Sequence, residues 1–143
     1  MTDSNNQKHL VYLGLGSNVS NRQYYIQRAV ALIGKRIGTV LRQSSLMETE
    51  PWGFLSPNAF LNGVILCTTE KSPQQVLRIT QQIERHLGRT MKTTSTDGYH
   101  DRTIDIDILL YDDITVDEPD LKIPHPLMHK RDFVMIPLQE IQT

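Results

Sequence analysis

The sequence contains one cysteine, no long apolar run and no basic leader segment in its 143 residues. The single thiol, Cys67, cannot close an internal disulfide, and its place within LNGVILCTT predicts a small core residue. Without a basic segment followed by an apolar run at the start, we expect neither secretion nor insertion into a membrane. These absences together favour a reducing cytoplasm as the location.

A strong excess of either charge is also missing, since 15 lysines and arginines stand against 16 aspartates and glutamates. A general binding surface for nucleic acid or for an anionic membrane requires clustered positive charge. We therefore expect neither as a partner. The length suits one hydrophobic core, which predicts a single domain over residues 1–143, with residues 1–8 frayed. We also expect this domain to act as a monomer.

Two familiar ligand-binding loops are absent as well. GLGSN, residues 14–18, lacks the third glycine of a dinucleotide-binding turn and the Lys-Ser/Thr pair of a P-loop. We interpret it as a tight turn between a strand and a helix. DDITVDE, residues 112–118, lacks the alternating ligands and central glycine of a calcium-binding EF-hand, so a solvated turn is the simpler interpretation.

Apolar periodicity and turn residues predict the element order β-α-β-β-α-β. The predicted elements are a strand over 9–15, a helix from about 21 to 34, strands over 38–49 and 59–69, a helix starting after Ser72 and ending at Gly88, and a strand over 103–111. Residues 89–101 have no apolar period and predict a long loop. This order is typical of an α+β ferredoxin-like fold, here with additional C-terminal strands or a helix after residue 112.

The segment HDRTIDIDILLYDD, residues 100–113, places two carboxylates in an otherwise apolar strand. Strict alternation puts Ile104, Ile106, Ile108 and Leu110 on one face and Asp105, Asp107, Leu109 and Tyr111 on the other. The two aspartates then lie about 7 Å apart and repel, unless a cation such as Mg²⁺ lies between them. The alternative is a solvent-facing sheet edge on which Arg102 and Arg131 balance the two charges.

Several basic residues lie near this segment in the sequence. They are Arg89, Lys92, Arg102, His125, His129, Lys130 and Arg131. Carboxylates that hold a metal, together with cations that hold an anion, are the groups that phosphoryl transfer requires. The pattern therefore indicates a phosphoryl-transfer enzyme.

Six motifs in a fixed order make this sequence similar to a known family. They are GLGSN (14–18), ETEPWG (48–53), FLNGV (60–64), IERHLGR (83–89), RTIDIDILLY (102–111) and IPHPLMHKRDFVMIPLQEI (123–141). Over about residues 10–141 the chain resembles the 6-hydroxymethyl-7,8-dihydropterin pyrophosphokinases of folate biosynthesis. The resemblance implies a ferredoxin-like core and a transfer of pyrophosphate from ATP to a pterin alcohol, with AMP as the other product.

The resemblance also implies roles for individual residues. Two Mg²⁺ ions bound with ATP would be held by Asp105 and Asp107, which together with Arg89 and Arg102 form the catalytic set. The implied ATP contacts are Gln81, Glu84, Lys92, His125 and Arg131, although an ordinary polar helix face is an alternative for Gln81 and Glu84. The implied pterin contacts are Thr49, Pro51, Trp52, Phe60, Asn62 and Phe133, with the two phenylalanines as a stacking pair.

Two other functions remain open at this point. The first is a non-catalytic ferredoxin-like module that binds a small ligand, and dependence on a metal would separate it from an enzyme. The second is a magnesium-dependent kinase of another small alcohol, which would need Asp105 and Asp107 but would place no demand on Asn62, Phe60 and Phe133.

Overall fold

The computed structural model describes residues 7–19, 21–49, 59–88 and 103–142. Its elements in chain order are β1 (His9–Ser17), α1 (Arg22–Arg36), β2 (Val40–Gln43), β3 (Met47–Thr49), β4 (Phe60–Thr69), α2 (Pro73–Gly88), β5 (Asp105–Tyr111), β6 (Val116–Glu118), β7 (Leu121–Ile123), a 3-10 turn (Met128–Lys130) and α3 (Asp132–Ile141). The predicted loop over 89–101 lies outside the described residues.

The main sheet is antiparallel and has the strand order β2-β4-β1-β5, with β3 pairing beside β2 along β4. If β2 and β3 are counted as one strand, this is the order of a ferredoxin-like sheet. A separate hairpin, β6–β7, and helix α3 follow the sheet. The predicted α+β ferredoxin-like core with C-terminal additions is therefore confirmed.

Apolar side chains cover both faces of this sheet. On one face, β1 contributes Val11, Leu13 and Leu15 to a core shared with α1 and α2. On the other face, Val64 and Leu66 of β4 pack in a smaller cluster with α3. α3 has ten residues, and the apolar cluster that it forms on this face centres on β4.

The strand predicted over 38–49 is wrong as a single element, because it is two strands. β2 and β3 both pair with β4, yet four residues lead from Gln43 to Met47 while three lead from Ile65 to Asn62. The extra residue is accommodated at Ser44, whose backbone N–H donates to the Val64 carbonyl and whose hydroxyl accepts from the Val64 N–H. A bulge of this kind shifts the side-chain alternation, which explains the weak pattern in the sequence.

Capping residues account for where α1 and α2 begin. The predicted start of α2 is confirmed, because Ser72 and Gln75 exchange side-chain to backbone hydrogen bonds of 2.8 and 3.2 Å. α1 begins after Asn21, whose side chain accepts from the Tyr24 N–H. It continues two residues beyond the predicted end at Gly34.

A glycine pair around the end of α1 provides a matched test of packing. A Cβ on Gly38 would coincide with the backbone carbonyl of Thr68, whereas a Cβ on Gly34 would have only a Val40 methyl group near it, at 4.0 Å. Gly38→Ala should therefore lower the free energy of unfolding by at least about 2 kcal/mol. Gly34→Ala should raise it by roughly 1 kcal/mol through helix propensity. Chemical denaturation of both variants checks this, and equal stabilities would contradict it.

Candidate active site

The two aspartates of β5 lie on the face of the sheet that carries α3. Both are half-buried, and their neighbours Ile104, Ile106 and Ile108 are buried in the core under α1 and α2. The predicted separation of aspartates from isoleucines is therefore confirmed.

The predicted faces of Leu110 and Tyr111 are wrong. The pairing of β5 with β1 shifts register between Leu13 and Tyr12, because Leu13 pairs with Ile108 whereas Tyr12 pairs with Leu110. The extra residue in this bulge is Leu109, which reverses the alternation beyond it. Tyr111 consequently packs in the core under α1 and α2, and Leu110 packs with the α3 cluster.

Glycines of β1 lie directly beside the two aspartates. Gly14 pairs with Asp107, and Gly16 pairs with Asp105. The interpretation of GLGSN as a tight turn is wrong at these positions, because β1 continues to Ser17 and both glycines lie within it. A spacing of two residues in a strand puts both glycines on one face, and this signal was available in the sequence.

Gly16 also has a neighbour on its other side, since it pairs with Asn62 of β4. A Cβ on Gly16 would lie 3.1 Å from Asn62 Oδ1 and 3.6 Å from Phe60 Cδ1. The missing side chain therefore leaves room for the amide oxygen and the aromatic ring to lie over β1. Asn62, Gly16 and Asp105 form one row across three strands, and we call this the Gly16 row.

Two residues of β3 hold the Asn62 side chain in one orientation. It is buried, and its Nδ2 donates to Thr49 Oγ1 at 2.9 Å and to the Met47 carbonyl at 3.3 Å. Both of these bonds use the amide nitrogen, so the amide oxygen is the atom that faces Gly16. Thr49 pairs with Phe60 at the last rung of the β3–β4 ladder. The structure thus brings three of the predicted pterin contacts together.

His125 lies near both Asp105 and Arg131. The His125 backbone N–H donates to the Leu109 carbonyl of β5 at 3.0 Å, and its Nδ1 accepts from the Leu127 N–H at 3.2 Å. In the neutral ring the proton is therefore on Nε2. Burial and the Arg131 guanidinium lower the pKa of His125 below its usual 6.5, and the Asp105 carboxylate opposes this in part. His125 is thus a neutral hydrogen-bond donor at pH 7.

The shift in the His125 pKa predicts a titration experiment. In the protein without metal or nucleotide, the ring should titrate below pH 6.5 in NMR spectra, with the signal assigned by His125→Asn. Because the unfolded chain takes up this proton first, His125 should lower the free energy of unfolding only as the pH falls below about 6.5. Above that pH it should have no effect. A titration midpoint at or above pH 6.5 would contradict the expected burial.

Arg131 and Phe133 lie at the start of α3 and contact each other. The Arg131 guanidinium carbon lies 5.6 Å from the centre of the Phe133 ring, within the range of a cation–π contact. Arg131 is the N-cap residue of α3, where the helix already presents partial positive charge. A cation at this position is locally unfavourable for the helix and favours binding of an anion.

The two predicted ATP contacts on α2, Glu84 and Gln81, differ in their position relative to β5. Glu84 Oε2 accepts from the backbone N–H of Ile106 at 2.7 Å, at the outer edge of β5 between the two aspartates. The side chain of Gln81 is exposed one turn earlier on α2, which packs on the opposite face of the sheet from Asp105. The structure therefore brings Glu84 to β5, the strand of the two aspartates, but leaves Gln81 apart from the Gly16 row.

The remaining predicted contacts lie outside the described residues. They are Pro51, Trp52, Arg89, Lys92 and Arg102. Within the described ranges, no group of three or more His, Cys, Asp or Glu side chains is placed to hold a metal ion. A pair of carboxylates is nevertheless enough for Mg²⁺, which completes its shell with phosphate and water. No helix in the described part of the chain is long and apolar enough to cross a membrane.

Comparison with known proteins gives a consistent result. The family described as 7,8-dihydro-6-hydroxymethylpterin-pyrophosphokinase (HPPK) matches residues 12–143. The 2-amino-4-hydroxy-6-hydroxymethyldihydropteridine pyrophosphokinase of Porphyromonas gingivalis is 49% identical over 133 residues, covering 92% of this chain and 90% of that protein. The protein of the same name from Bacillus subtilis is 40% identical over 134 residues, covering 93% and 78%.

Solved structures add a comparison of the fold. A crystal structure of Plasmodium falciparum HPPK-DHPS superimposes with a TM-score of 0.76 at 16% sequence identity. The match covers 97% of this chain and 40% of that one. At this identity the likeness shows the fold alone, which agrees with the ferredoxin-like sheet described above.

Proposed function

The chain belongs to the 7,8-dihydro-6-hydroxymethylpterin-pyrophosphokinase family, and from that membership we propose which of its residues carry out the reaction. The reaction is the transfer of pyrophosphate from ATP to 6-hydroxymethyl-7,8-dihydropterin in folate biosynthesis. This assignment replaces the two open alternatives, a non-catalytic module and a kinase of another small alcohol.

The chemistry requires attack at the β-phosphorus of ATP. The hydroxymethyl oxygen forms a bond to this phosphorus and loses its proton, and the bond from the same phosphorus to the oxygen of the α-phosphate breaks. AMP leaves, and the β- and γ-phosphates remain on the pterin. Catalysis of such a transfer depends on positioning the two reactants and on neutralising phosphate charge.

The observation that carries the proposal is the Gly16 row. Asn62 and Asp105 both pair with Gly16, so their backbones lie two strand spacings apart, about 9.5 Å. A pterin held by Asn62 at one end of the row would direct its hydroxymethyl group across β1 toward the phosphates at the other end. The absent side chain of Gly16 keeps the space between them open.

At the pterin end, we assign recognition to Asn62 and stacking to Phe60 and Phe133. The Asn62 Oδ1 would accept from an N–H group on the edge of the heterocycle. The flat ring would lie between the phenylalanines, because aromatic pairs gain both burial and ring–ring contact. Thr49 holds the Asn62 amide in this orientation, and Pro51 and Trp52 would complete the pocket.

At the phosphate end, Asp105 and Asp107 would hold two Mg²⁺ ions with ATP. The site fits such ions, since two half-buried carboxylates lie beside Gly14 and Gly16 of β1, which have no side chains. Bound Mg²⁺ would neutralise charge on the phosphates. Neutral His125 would donate an Nε2–H bond to a phosphate oxygen, and Arg131 would supply positive charge from the start of α3. We assign similar nucleotide contacts to Arg89, Arg102, Lys92, Glu84 and Gln81.

We propose that residues 1–143 act as one domain and as a monomer in the cytoplasm, without nucleic acid or a membrane as partner. The reaction is tested by incubating the protein with Mg²⁺, ATP and the pterin alcohol and separating the nucleotides formed. AMP should appear only when the pterin alcohol is present. Formation of ADP instead would contradict pyrophosphate transfer and would indicate transfer of a single phosphoryl group.

A further inference from the structure

Arg22, at the start of α1, joins three parts of the chain. Its Nη1 donates to Glu48 Oε2 of β3 at 2.7 Å and to the Ala59 carbonyl, just before β4, at 2.9 Å. One guanidinium nitrogen therefore bridges the two strands of the β3–β4 hairpin at their last rungs. Neither contact belongs to the core of the sheet.

The local physics of α1 does not favour an arginine at this position. Arg22 is the first residue of the helix, where the backbone N–H groups already present partial positive charge. A cation there is unfavourable for the helix by itself, and no acidic residue in the first turn compensates for it. The contacts with Glu48 and Ala59 are the tertiary interactions that offset this cost.

The two bridged residues directly adjoin the last rung of the ladder, Thr49 with Phe60, which carries two of the proposed pterin contacts. Glu48 directly precedes Thr49, and Ala59 directly precedes Phe60, which is Thr49's partner in the ladder. Because strand side chains alternate, Glu48 and its partner Leu61 face the α1 side, where Leu61 packs against the core. Arg22 thus contacts the hairpin from the face opposite Phe60 and Asn62.

We propose that Arg22 is a positioning residue for the pterin site. By tying Glu48 to the Ala59 carbonyl, it fixes the spacing of β3 and β4 where Thr49 orients the Asn62 amide. A loosened hairpin end would let Thr49 move away from Asn62 Nδ2, and the amide would lose its fixed orientation. This inference rests on the proposed function, because it assigns to Arg22 the geometry of the same pterin-binding residues.

The expected effect is moderate and selective. An ion pair as exposed as Arg22–Glu48 contributes little to stability, with side chains that are 31% and 58% exposed. Arg22→Ala should therefore unfold at nearly the same temperature as the wild type. Its affinity for the pterin should fall roughly five- to tenfold, because one oriented hydrogen bond is weakened. Its affinity for the nucleotide, bound at the other end of the Gly16 row, should change less than about twofold.

Three variants and a matched control separate positioning from general stability. Arg22→Lys should restore part of the pterin affinity, since both contacts are made by one nitrogen and an ammonium group can bridge them. Glu48→Gln keeps an acceptor and should lose less than Arg22→Ala. Arg36→Ala, an exposed arginine at the other end of α1, should leave pterin affinity unchanged.

The measurements are a fluorescence titration with the pterin, with Mg²⁺ and a non-hydrolysable ATP analogue present, and steady-state kinetics. For Arg22→Ala we expect a raised KM for the pterin with kcat within about twofold. Unchanged pterin affinity in Arg22→Ala, or an equal loss in Arg36→Ala, would overturn the inference and leave the proposed function standing. An equal loss of nucleotide affinity would also overturn it. If the wild type shows no saturable pterin binding, the proposed function fails and the inference fails with it.

Discussion

Asp105→Asn and Asp107→Asn should each lower turnover at least about 1000-fold while the protein remains folded. The amide keeps the shape of the carboxylate but removes the charge that would hold Mg²⁺ beside the phosphates. Both side chains are half-buried and lie on the face of the sheet opposite the main core, so neither substitution creates a cavity in that core. Removal of one of two like charges on a sheet face should if anything favour folding slightly.

The measurement is AMP release at saturating ATP and pterin alcohol, with a melting curve for each variant. Binding of Mn²⁺ followed by electron paramagnetic resonance gives a second readout that does not depend on turnover. Asp120→Asn, an exposed carboxylate between β6 and β7, is the matched control and should behave as the wild type. Normal activity in either β5 variant would exclude that aspartate from the metal site.

The strand that carries these aspartates shows how far the sequence predicts the site. Alternation along RTIDID places both carboxylates on one face, and the structure confirms this. The same rule fails at Leu110 and Tyr111, because Leu109 is an extra residue relative to β1. A bulge depends on the partner strand, and the partner's register is not encoded within the strand itself.

The same limit explains the strand predicted over 38–49. The register shifts twice in this region, once within β2 between Val40 and Arg42 and once at Ser44 between β2 and β3, so the side-chain alternation changes phase along it. By contrast, the cap of α2 is a purely local feature. Ser72 and Gln75 are three residues apart, and the side chain of each bonds to the backbone of the other, so the sequence predicts the cap correctly.

Arg22 marks the part of the site that sequence patterns could not reveal. Its partners, Glu48 and Ala59, are 26 and 37 residues away, and only the fold brings them together. Gly16 is an intermediate case. Its spacing of two residues from Gly14 indicates that both glycines lie on one face of a strand. Its pairing with both Asn62 and Asp105 depends on the order of the strands in the sheet, which the spacing does not show.

Gly16→Val should abolish useful binding of the pterin while leaving the fold intact. Even a single methyl group on Gly16 would lie 3.1 Å from Asn62 Oδ1 and 3.6 Å from the Phe60 ring, and valine adds two more carbons in the same space. Loss of the Asn62 hydrogen bond and of ring stacking costs about 2–4 kcal/mol, which corresponds to roughly 30- to 1000-fold in affinity. Valine is favoured in strands, so β1 itself should tolerate the change.

The experiment is the pterin titration with Mg²⁺ and a non-hydrolysable ATP analogue, made on Gly16→Val, Asn62→Ala, Phe133→Ala and Gly14→Ala. Phe133→Ala should weaken the pterin about tenfold through lost stacking and burial. Gly14→Ala should bind the pterin normally, because the nearest described neighbour of its new methyl group would be the Leu109 side chain, at an ordinary 3.5 Å.

The four affinities also locate the pocket. If Gly16→Val and Asn62→Ala both bind the pterin as well as the wild type does, the heterocycle does not lie on the Gly16 row. If Phe133→Ala retains normal affinity while Gly16→Val and Asn62→Ala lose it, Asn62 and Phe60 recognise the pterin from β4, and the second stacking surface comes from another residue. A loss in Gly14→Ala equal to that in Gly16→Val would show that the whole strand had shifted, because the two glycines face different neighbours.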